Sequence, residues 1–145
     1  MAGRKWDGPP FGGAKIALIC GAGLVTYQRD DKAGIPFRGL WDLPGGGREG
    51  DESPVACALR EVEEEFGISI EENRVRSLRR YESGSPGGLD TYFCVAEVTP
   101  SEVDRIRFGD EGQHWRMMDA LEFVALEDAV PHMKRRLRSY LEGDE

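Results

Sequence analysis

One segment of the chain specifies a helix at both of its ends and along one face. Ser53 is a good N-cap residue, and Pro54 suits the first helical position. Gly67 suits the position just after a helix, where the backbone often turns left-handed. The apolar residues between these ends recur with helical spacing, at Val55, Leu59, Val62 and Phe66. We therefore predict an amphipathic helix over residues 54–66 that packs on a core through this stripe.

The same helix carries an acidic run close to its C-terminal end. Glu61, Glu64 and Glu65 follow the spacing i, i+3 and i+4, so they share one face, roughly 120° from the apolar stripe. Glu63 lies on the other side of the stripe and is left out of this group. Like charges at this spacing cost about 0.2–0.5 kcal/mol, and the helix dipole costs about 0.3–1 kcal/mol more. A solvated acidic face is one interpretation, and a divalent-cation site that removes both penalties is the other.

A glycine-rich loop before the helix favours the cation site. Residues 43–52, LPGGGREGDE, contain four glycines, and a residue without a side chain lets the backbone approach an anion or a metal closely. A glycine loop that leads into a helix is by itself a weak indication of phosphate binding. Combined with three carboxylates on the following helix, it predicts phosphate chemistry with a hard cation, Mg²⁺ or Mn²⁺.

Length and composition indicate one globular domain over residues 1–145, with a flexible N-terminal arm over 1–12. No apolar run is long enough to span a bilayer or to form a signal peptide, so we expect a cytoplasmic protein without a membrane partner. The formal net charge of −8 disfavours binding to a nucleic-acid polymer. Three cysteines without a CxxC pair favour reduced thiols over a disulfide framework or a zinc site.

The remaining pattern predicts a mixture of strands and helices. Alternating apolar residues indicate strands within 15–29, interrupted at Gly21–Gly23, and then over 74–83, 89–98 and 112–118. Residues 30–39 are polar and turn-rich and are predicted to form a loop. We also expect a helical turn capped by Ser101, a short helix after residue 118, and a basic C-terminal helix that begins near Pro131.

The stretch from Gly46 to Ile68, GGREGDESPVACALREVEEEFGI, resembles the Nudix box, G-x5-E-x7-R-E-U-x-E-E-x-G-U with U aliphatic. The fixed positions of the pattern are filled by Gly46, Glu52, Arg60, Glu61, Val62, Glu64, Glu65, Gly67 and Ile68. GLWDLPGG before the box and the amphipathic C-terminal helix are also similar to the family. The resemblance implies an α+β fold, the Nudix-type α/β/α sandwich with a central mixed β-sheet.

The resemblance further implies a Mg²⁺-dependent pyrophosphohydrolase, with Mn²⁺ as a possible substitute. Its substrate is a nucleoside diphosphate linked to another moiety, such as a nucleoside triphosphate or a nucleotide sugar, and water attacks at phosphorus. The metal ligands implied are Glu61, Glu64, Glu65 and the backbone carbonyl of Gly45. Arg60 and Glu52 orient the glutamates, and Gly46 contacts the substrate.

The pattern of the Nudix box does not identify the residue that acts as general base. Glu111, in the loop FGDEGQHW over 108–115, is a candidate base or fourth ligand, against a plain turn acid; a box glutamate, Glu61 or Glu64, is the alternative. Arg29 ends a strand and is a candidate phosphate contact, against an exposed strand-end charge.

The resemblance implies that loops outside the box select the substrate; in this chain they are the loops over 30–40, 82–90 and 105–113. A (deoxy)nucleoside triphosphate is slightly favoured over a substrate like ADP-ribose. The alternative function is a non-catalytic, nucleotide-binding regulatory Nudix domain, which the intact box disfavours; an isomerase is disfavoured by the short chain. The oligomeric state is open, and a homodimer is compatible with the sequence.

Overall fold

The computed structural model describes residues 5–143, in which a seven-stranded mixed sheet lies between helices. The strands are β1 (Phe11–Cys20), β2 (Gly23–Gln28), β3 (Trp41–Asp42), β4 (Gly45–Gly47), β5 (Val75–Tyr81), β6 (Asp90–Glu97) and β7 (His114–Asp119). The helices are α1 (Pro54–Phe66), α2 (Pro100–Asp104), α3 (Ala120–Ala125) and α4 (Pro131–Leu141), with a 3-10 turn over Glu72–Arg74.

The sheet is ordered β3-β2-β1-β6-β5, with β4 added to β1 and β7 to β2. The central strands β1 and β6 run parallel, and the other pairs run antiparallel. Successive residues of β1 face opposite sides, so Ile16 and Leu18 join the core under α1, while Ala17 joins the core under α3 and α4. The predicted α/β/α sandwich around a mixed sheet is therefore confirmed.

Helix α1 has the ends that its sequence predicted. The Ser53 Oγ accepts a hydrogen bond from the Ala56 amide at 3.1 Å. Gly67 follows the helix with φ of 69°, and its amide donates to the Glu63 carbonyl at 3.0 Å. Three of the four stripe residues, Leu59, Val62 and Phe66, are buried against the sheet. This packing fixes which face of α1 points away from the core.

The predicted cap of the helical turn after β6 is wrong. Thr99, not Ser101, is the N-cap residue of α2. Its hydroxyl accepts a hydrogen bond from the Glu102 amide, and the Glu102 carboxylate accepts one from the Thr99 amide. This reciprocal capping box satisfies two amides at once, which a cap at Ser101 would not.

Residues 1–4 of the predicted N-terminal arm lie outside the described residues. Later in that segment, the Trp6 ring packs edge-on against Phe11 and Tyr92, with ring centroids 6.0 and 6.2 Å apart, and Phe11 begins β1. The first strand thus begins earlier than the pattern from Lys15 predicted.

Over residues 5–143, no helix combines the length and the apolar character needed to cross a membrane.

Cys20, Cys57 and Cys94 are free thiols, and burial raises the pKa of Cys57 to about 11 and of Cys94 to about 12. Cys57 and Cys94 are therefore protonated at neutral pH and poorly reactive.

Candidate active site

Two glycines let the loop before α1 lie between β1 and the helix. Gly45 has φ of 130°, and a Cβ there would lie 2.2 Å from the Ala14 carbonyl oxygen. A Cβ on Gly46 would lie 2.4 Å from Oε2 of Glu61. A side chain at either position would therefore displace strand backbone or the glutamate. The loop backbone lies directly against the acidic face of α1 as a result.

A cavity of about 660 Å³ opens beside this loop, and we call it the carboxylate pocket. Its acidic side chains are Asp30, Glu61, Glu65 and Glu111, and its basic ones are Lys15 and Arg29. The backbone of Gly45–Gly47 forms one wall, and Gly34, Ile35 and Pro36 of the loop between β2 and β3 form another. Two of the three loops predicted to select the substrate, 30–40 and 105–113, thus reach the pocket.

Glu65 is the most buried carboxylate of the pocket. It is 8% exposed, and its Oε1 accepts a hydrogen bond from the Gly45 amide at 3.3 Å. Burial raises the pKa of Glu65 to about 7, partly offset by Lys15 and the Gly45 amide and reinforced by Glu61 and Glu111. Burial also raises the pKa of Glu61, against Arg60, and the charges of Glu64 and Glu111 add to the rise. Both carboxylates are therefore protonated more readily than free ones, because burial disfavours their charged forms.

Lys15 is a pocket residue that the sequence patterns did not single out. Its ammonium lies 3.0 Å from both Oδ2 of Asp42 and the Leu43 carbonyl, and 3.4 Å from the Gly45 carbonyl. Burial lowers the pKa of Lys15, but Asp42 and Tyr27 more than compensate, so the pKa is raised overall. The sequence feature that could have identified Lys15 was its place as a lysine within the apolar strand sequence GGAKIALIC. Charged residues at such positions are costly unless paired.

Arg29 lines the pocket but is also held within the protein. Its Nη1 lies 2.9 Å from Oδ2 of Asp42, and its Nε donates to the Pro36 carbonyl at 2.8 Å. Asp42 is 2% exposed. Burial raises the pKa of Asp42, yet Lys15, the Leu43 amide and Arg29 lower it overall. Arg29 is thus fixed at the pocket edge by a buried carboxylate.

Arg60 holds the glycine-rich loop before α1 against that helix. Its Nε lies 2.6 Å from Oε2 of Glu52, and its Nη2 donates to the Gly47 carbonyl at 2.7 Å. Its Nη1 donates to Oε2 of Glu64 at 2.9 Å. The Glu52 carboxylate also accepts the Glu49 amide at 2.9 Å, which closes the turn. This network places Arg60 and Glu52 where they can orient the glutamates.

Of the predicted metal triad, Glu61 and Glu65 line the pocket, and Glu64 lies beside them on the same side of Arg60. Glu61, with a side chain 15% exposed, faces the pocket with Glu65. The Glu64 side chain is 55% exposed and pairs with Arg60. Within residues 5–143, no three acidic, histidine or cysteine side chains converge into a preformed metal cluster. Glu63, excluded from the triad, instead accepts a hydrogen bond from the Ser69 hydroxyl at 3.1 Å.

The donor set nevertheless fits a divalent cation. Glu61, Glu65, Glu111 and the Gly45 carbonyl supply oxygen atoms, which Mg²⁺ and Mn²⁺ prefer. Burial, to which the neighbouring carboxylates add, raises the pKa of Glu61 and Glu65, so their negative charges are costly in the pocket. A bound cation would relieve this cost.

An α/β/α sandwich whose glycine loop and following helix border an acidic pocket is the arrangement that the Nudix resemblance predicted. A model of the NUDIX domain family matches residues 11–140, and the chain therefore belongs to that family.

Individual relatives match over parts of their length. The chain is 41% identical over 56 residues to an RNA pyrophosphohydrolase of Acidiphilium cryptum (strain JF-5), covering 39% of this chain and 34% of that protein. It is 31% identical over 87 residues to diphosphoinositol polyphosphate phosphohydrolase 3-beta of Bos taurus, covering 58% and 52%. The matches thus span about a third to a half of these relatives.

A solved structure shares the fold over nearly the whole chain. It is a bifunctional NMN adenylyltransferase/ADP ribose pyrophosphatase of Francisella tularensis, complexed with AMP and a Mn ion. The TM-score is 0.71 at 21% identity, covering 98% of this chain and 43% of that one.

Proposed function

We propose that this chain is a divalent-cation-dependent pyrophosphohydrolase of the NUDIX family, with Mg²⁺ as the ion and Mn²⁺ as a substitute. Its substrate is a nucleoside diphosphate linked to another moiety. The observation that carries the proposal is the carboxylate pocket, in which Glu61 and Glu65 of α1 border the glycine backbone of β4. The names of the relatives, which include a pyrophosphohydrolase and an ADP ribose pyrophosphatase, support the same reaction class.

Glu61, Glu65 and the Gly45 carbonyl are the residues that hold the cation in this proposal, and Glu64 is a further candidate at the exposed end of the face. When bound, the cation would neutralise negative charge on the diphosphate and lower the pKa of a water molecule bound to it. Arg60 and Glu52 keep the glycine loop and the glutamates in place. Lys15 neutralises part of the carboxylate charge from beneath the loop.

Glu111 is the proposed general base. It lines the pocket from the loop before β7, and it lies near enough to Glu61 and Glu65 to raise the pKa of both. A carboxylate oxygen in this position can take a proton from the attacking water. The water oxygen then bonds to phosphorus, the anhydride P–O bond breaks, and the other phosphate-bearing part leaves as an anion. Arg29 and the Gly46 backbone are placed at the pocket wall, where they can contact substrate phosphate.

The proposed substrates are compact nucleotides. A volume of about 660 Å³ lies within the range of small-molecule pockets. A (deoxy)nucleoside triphosphate is the first candidate, and a substrate like ADP-ribose is the second. The loop carrying Ile35 and Pro36 offers an apolar wall for the part of the substrate beyond the phosphates.

A nucleotide panel assayed with Mg²⁺ or Mn²⁺, with the products identified, tests the proposal. We expect turnover of at least one diphosphate-linked nucleotide. Glu61→Gln and Glu65→Gln are expected to lower kcat by about 100-fold or more, because each removes a negative charge that would hold the cation.

Glu63→Gln is the matched control, since it makes the same change on the same helix outside the pocket. It is expected to keep the wild-type rate. Nucleotide binding without any product across the panel would contradict the proposal and favour the regulatory alternative. Equal losses in all three variants would show that the pocket carboxylates have no special role.

A further inference from the structure

A second groove lies between the edge strand β5 and helix α4, and we call it the arginine groove. Its volume is about 210 Å³, and it shares no lining residue with the carboxylate pocket. Phe93 contributes to its lining from β6, the neighbouring strand. The polar side chains that matter here are Arg76, Arg79, Arg136, Tyr81 and Tyr140.

The charge around this groove opposes that of the whole chain. β5 and α4 together carry seven of the 19 lysine and arginine residues and no aspartate or glutamate, although the net charge is −8. Glu97, at the end of β6, pairs with one of the arginines, Arg76. A concave site lined by one sign of charge concentrates ions of the opposite sign. The groove is therefore suited to an anion in an otherwise acidic protein.

Two of the arginines are positioned by aromatic side chains. The Arg136 guanidinium carbon lies 4.2 Å from the centre of the Tyr81 ring. Arg76 Nε donates to the Tyr140 hydroxyl at 3.0 Å. Held in this way, the guanidinium groups lose less conformational freedom when they bind a ligand.

Arg136 is in an environment that disfavours its own charge. It is partly buried, and burial, followed by repulsion from Arg135, lowers its pKa despite the opposing effect of Tyr81. Arg79 lies in the same groove, so a second cation faces the same space. An anion bound beside Arg136 would offset its burial and the repulsion from Arg135.

We propose that the arginine groove binds a small phosphate-bearing anion, with one or two phosphate groups, at a site separate from catalysis. Guanidinium groups match phosphate oxygens with paired hydrogen bonds. The Tyr81 and Tyr140 hydroxyls and Ser77 offer further donors at the same site. The volume suits a ligand of the size of pyrophosphate or a phosphate monoester rather than a polymer.

Titration of the isotope-labelled full chain with inorganic pyrophosphate and with inorganic phosphate, followed by NMR, tests this proposal. EDTA is included so that cation-dependent binding in the carboxylate pocket does not contribute. We expect saturable shifts in the amides of β5 and α4. Arg79→Gln and Arg136→Gln are each expected to weaken binding by about tenfold, the loss of one charged hydrogen-bonding partner.

The chain offers a matched control for each variant. Arg80→Gln changes the next residue of β5, and Arg135→Gln changes the preceding residue of α4; both side chains are exposed and neither lines the groove. These controls are expected to change the affinity less than twofold.

Equal weakening by all four arginine variants would overturn the proposal, since it would indicate general electrostatic attraction. Absence of saturable shifts in β5 and α4 would also overturn it. A single-stranded oligonucleotide is the third probe, and binding that needs Arg79 and Arg136 without any response to either small anion would assign the groove to a polymer instead. Far-UV circular dichroism of each variant shows whether the fold is kept.

Discussion

The Lys15 ammonium lies 3.0 Å from Oδ2 of Asp42, beneath the glycine loop of the carboxylate pocket. The same oxygen lies 2.9 Å from Arg29, so one buried carboxylate holds two cations at the pocket wall. The sheet brings these residues together, because β2 pairs with both β1 and β3. The positive side of the pocket is thus fixed by backbone pairing.

Asp42→Asn is expected to destabilise the fold. The variant keeps the shape of the side chain but leaves Lys15 and Arg29 without their shared counter-charge. Because both cations are partly exposed, we expect a loss of about 2–3 kcal/mol in the free energy of unfolding, below the roughly 3–5 kcal/mol typical of fully buried pairs. Urea denaturation of the wild type and the variant measures this loss of unfolding free energy. Asp31→Asn, which breaks an exposed pair with Arg38, should cost less than about 1 kcal/mol; similar costs would contradict the assignment.

Gly46→Ala is expected to impair catalysis more than folding. The new Cβ would lie 2.4 Å from Oε2 of Glu61, the movable end of a side chain, so the carboxylate shifts rather than the backbone. We expect kcat/KM to fall by about 10- to 100-fold on the substrate found in the panel, with a change in unfolding free energy within about 1 kcal/mol. At Gly47 an added Cβ would meet only the Gly12 carbonyl oxygen, at 3.9 Å. Gly47→Ala should therefore keep its activity, and a comparable loss there would refute the steric explanation.

Arg60→Lys is expected to make the glycine-rich loop before α1 more mobile. A lysine cannot reproduce the separate contacts to Glu52, Gly47 and Glu64. Amide hydrogen exchange over residues 45–52 should accelerate by about tenfold or more, because at least one charged hydrogen bond is lost. The exposed Arg38→Lys is the control. Unchanged exchange in the loop would show that Arg60 is not what holds it.

Glu102 gives the fold an acid-sensitive contact. Its carboxylate lies 2.7 and 3.0 Å from the Arg74 guanidinium, and this hydrogen bonding lowers the pKa of Glu102 from 4.5 to about 2. Because the pKa is lowered on folding, the stabilisation is complete above about 4.5 and is lost as the pH falls towards about 2. Glu102→Gln should therefore cost about 1–3 kcal/mol at neutral pH and less near pH 3.

Urea unfolding of wild type and Glu102→Gln across this pH range checks the expectation. Glu122→Gln serves as the control, because Glu122 pairs with Arg116 on the surface, where both side chains are 46% exposed. A stability difference for Glu102→Gln that does not shrink on acidification would rule out the charge of Glu102 as its source.

Features encoded by neighbouring residues were predictable from the sequence. Ser53, Pro54 and Gly67 fix α1 through local hydrogen bonds and backbone preferences, so its bounds and its acidic face followed from the pattern. The Arg60–Glu64 contact followed from helical spacing. The box resemblance extended this to the family and to the α/β/α fold, which the family match confirmed.

Features that depend on distant pairing were not predictable in the same way. Lys15 looked like an ordinary strand residue, since its significance depends on Asp42, which only the sheet places beside it. Glu64 shared a helix face with Glu61, but periodicity does not show that its side chain stays 55% exposed outside the pocket. Glu111 could be named as a candidate, yet its place in the pocket depends on the pairing of β7 with β2.

The parallel pairing of β1 with β6 has a consequence for how the chain acquires its structure. Lys15 pairs with Phe93, so the middle of the sheet joins segments far apart in the chain. During synthesis β1, β2 and α1 are made before β6, at about 5–20 residues per second. Until then the apolar strand beside the pocket has an unpaired edge. Completion of the sheet is therefore a late step whose rate is limited by long-range contact formation.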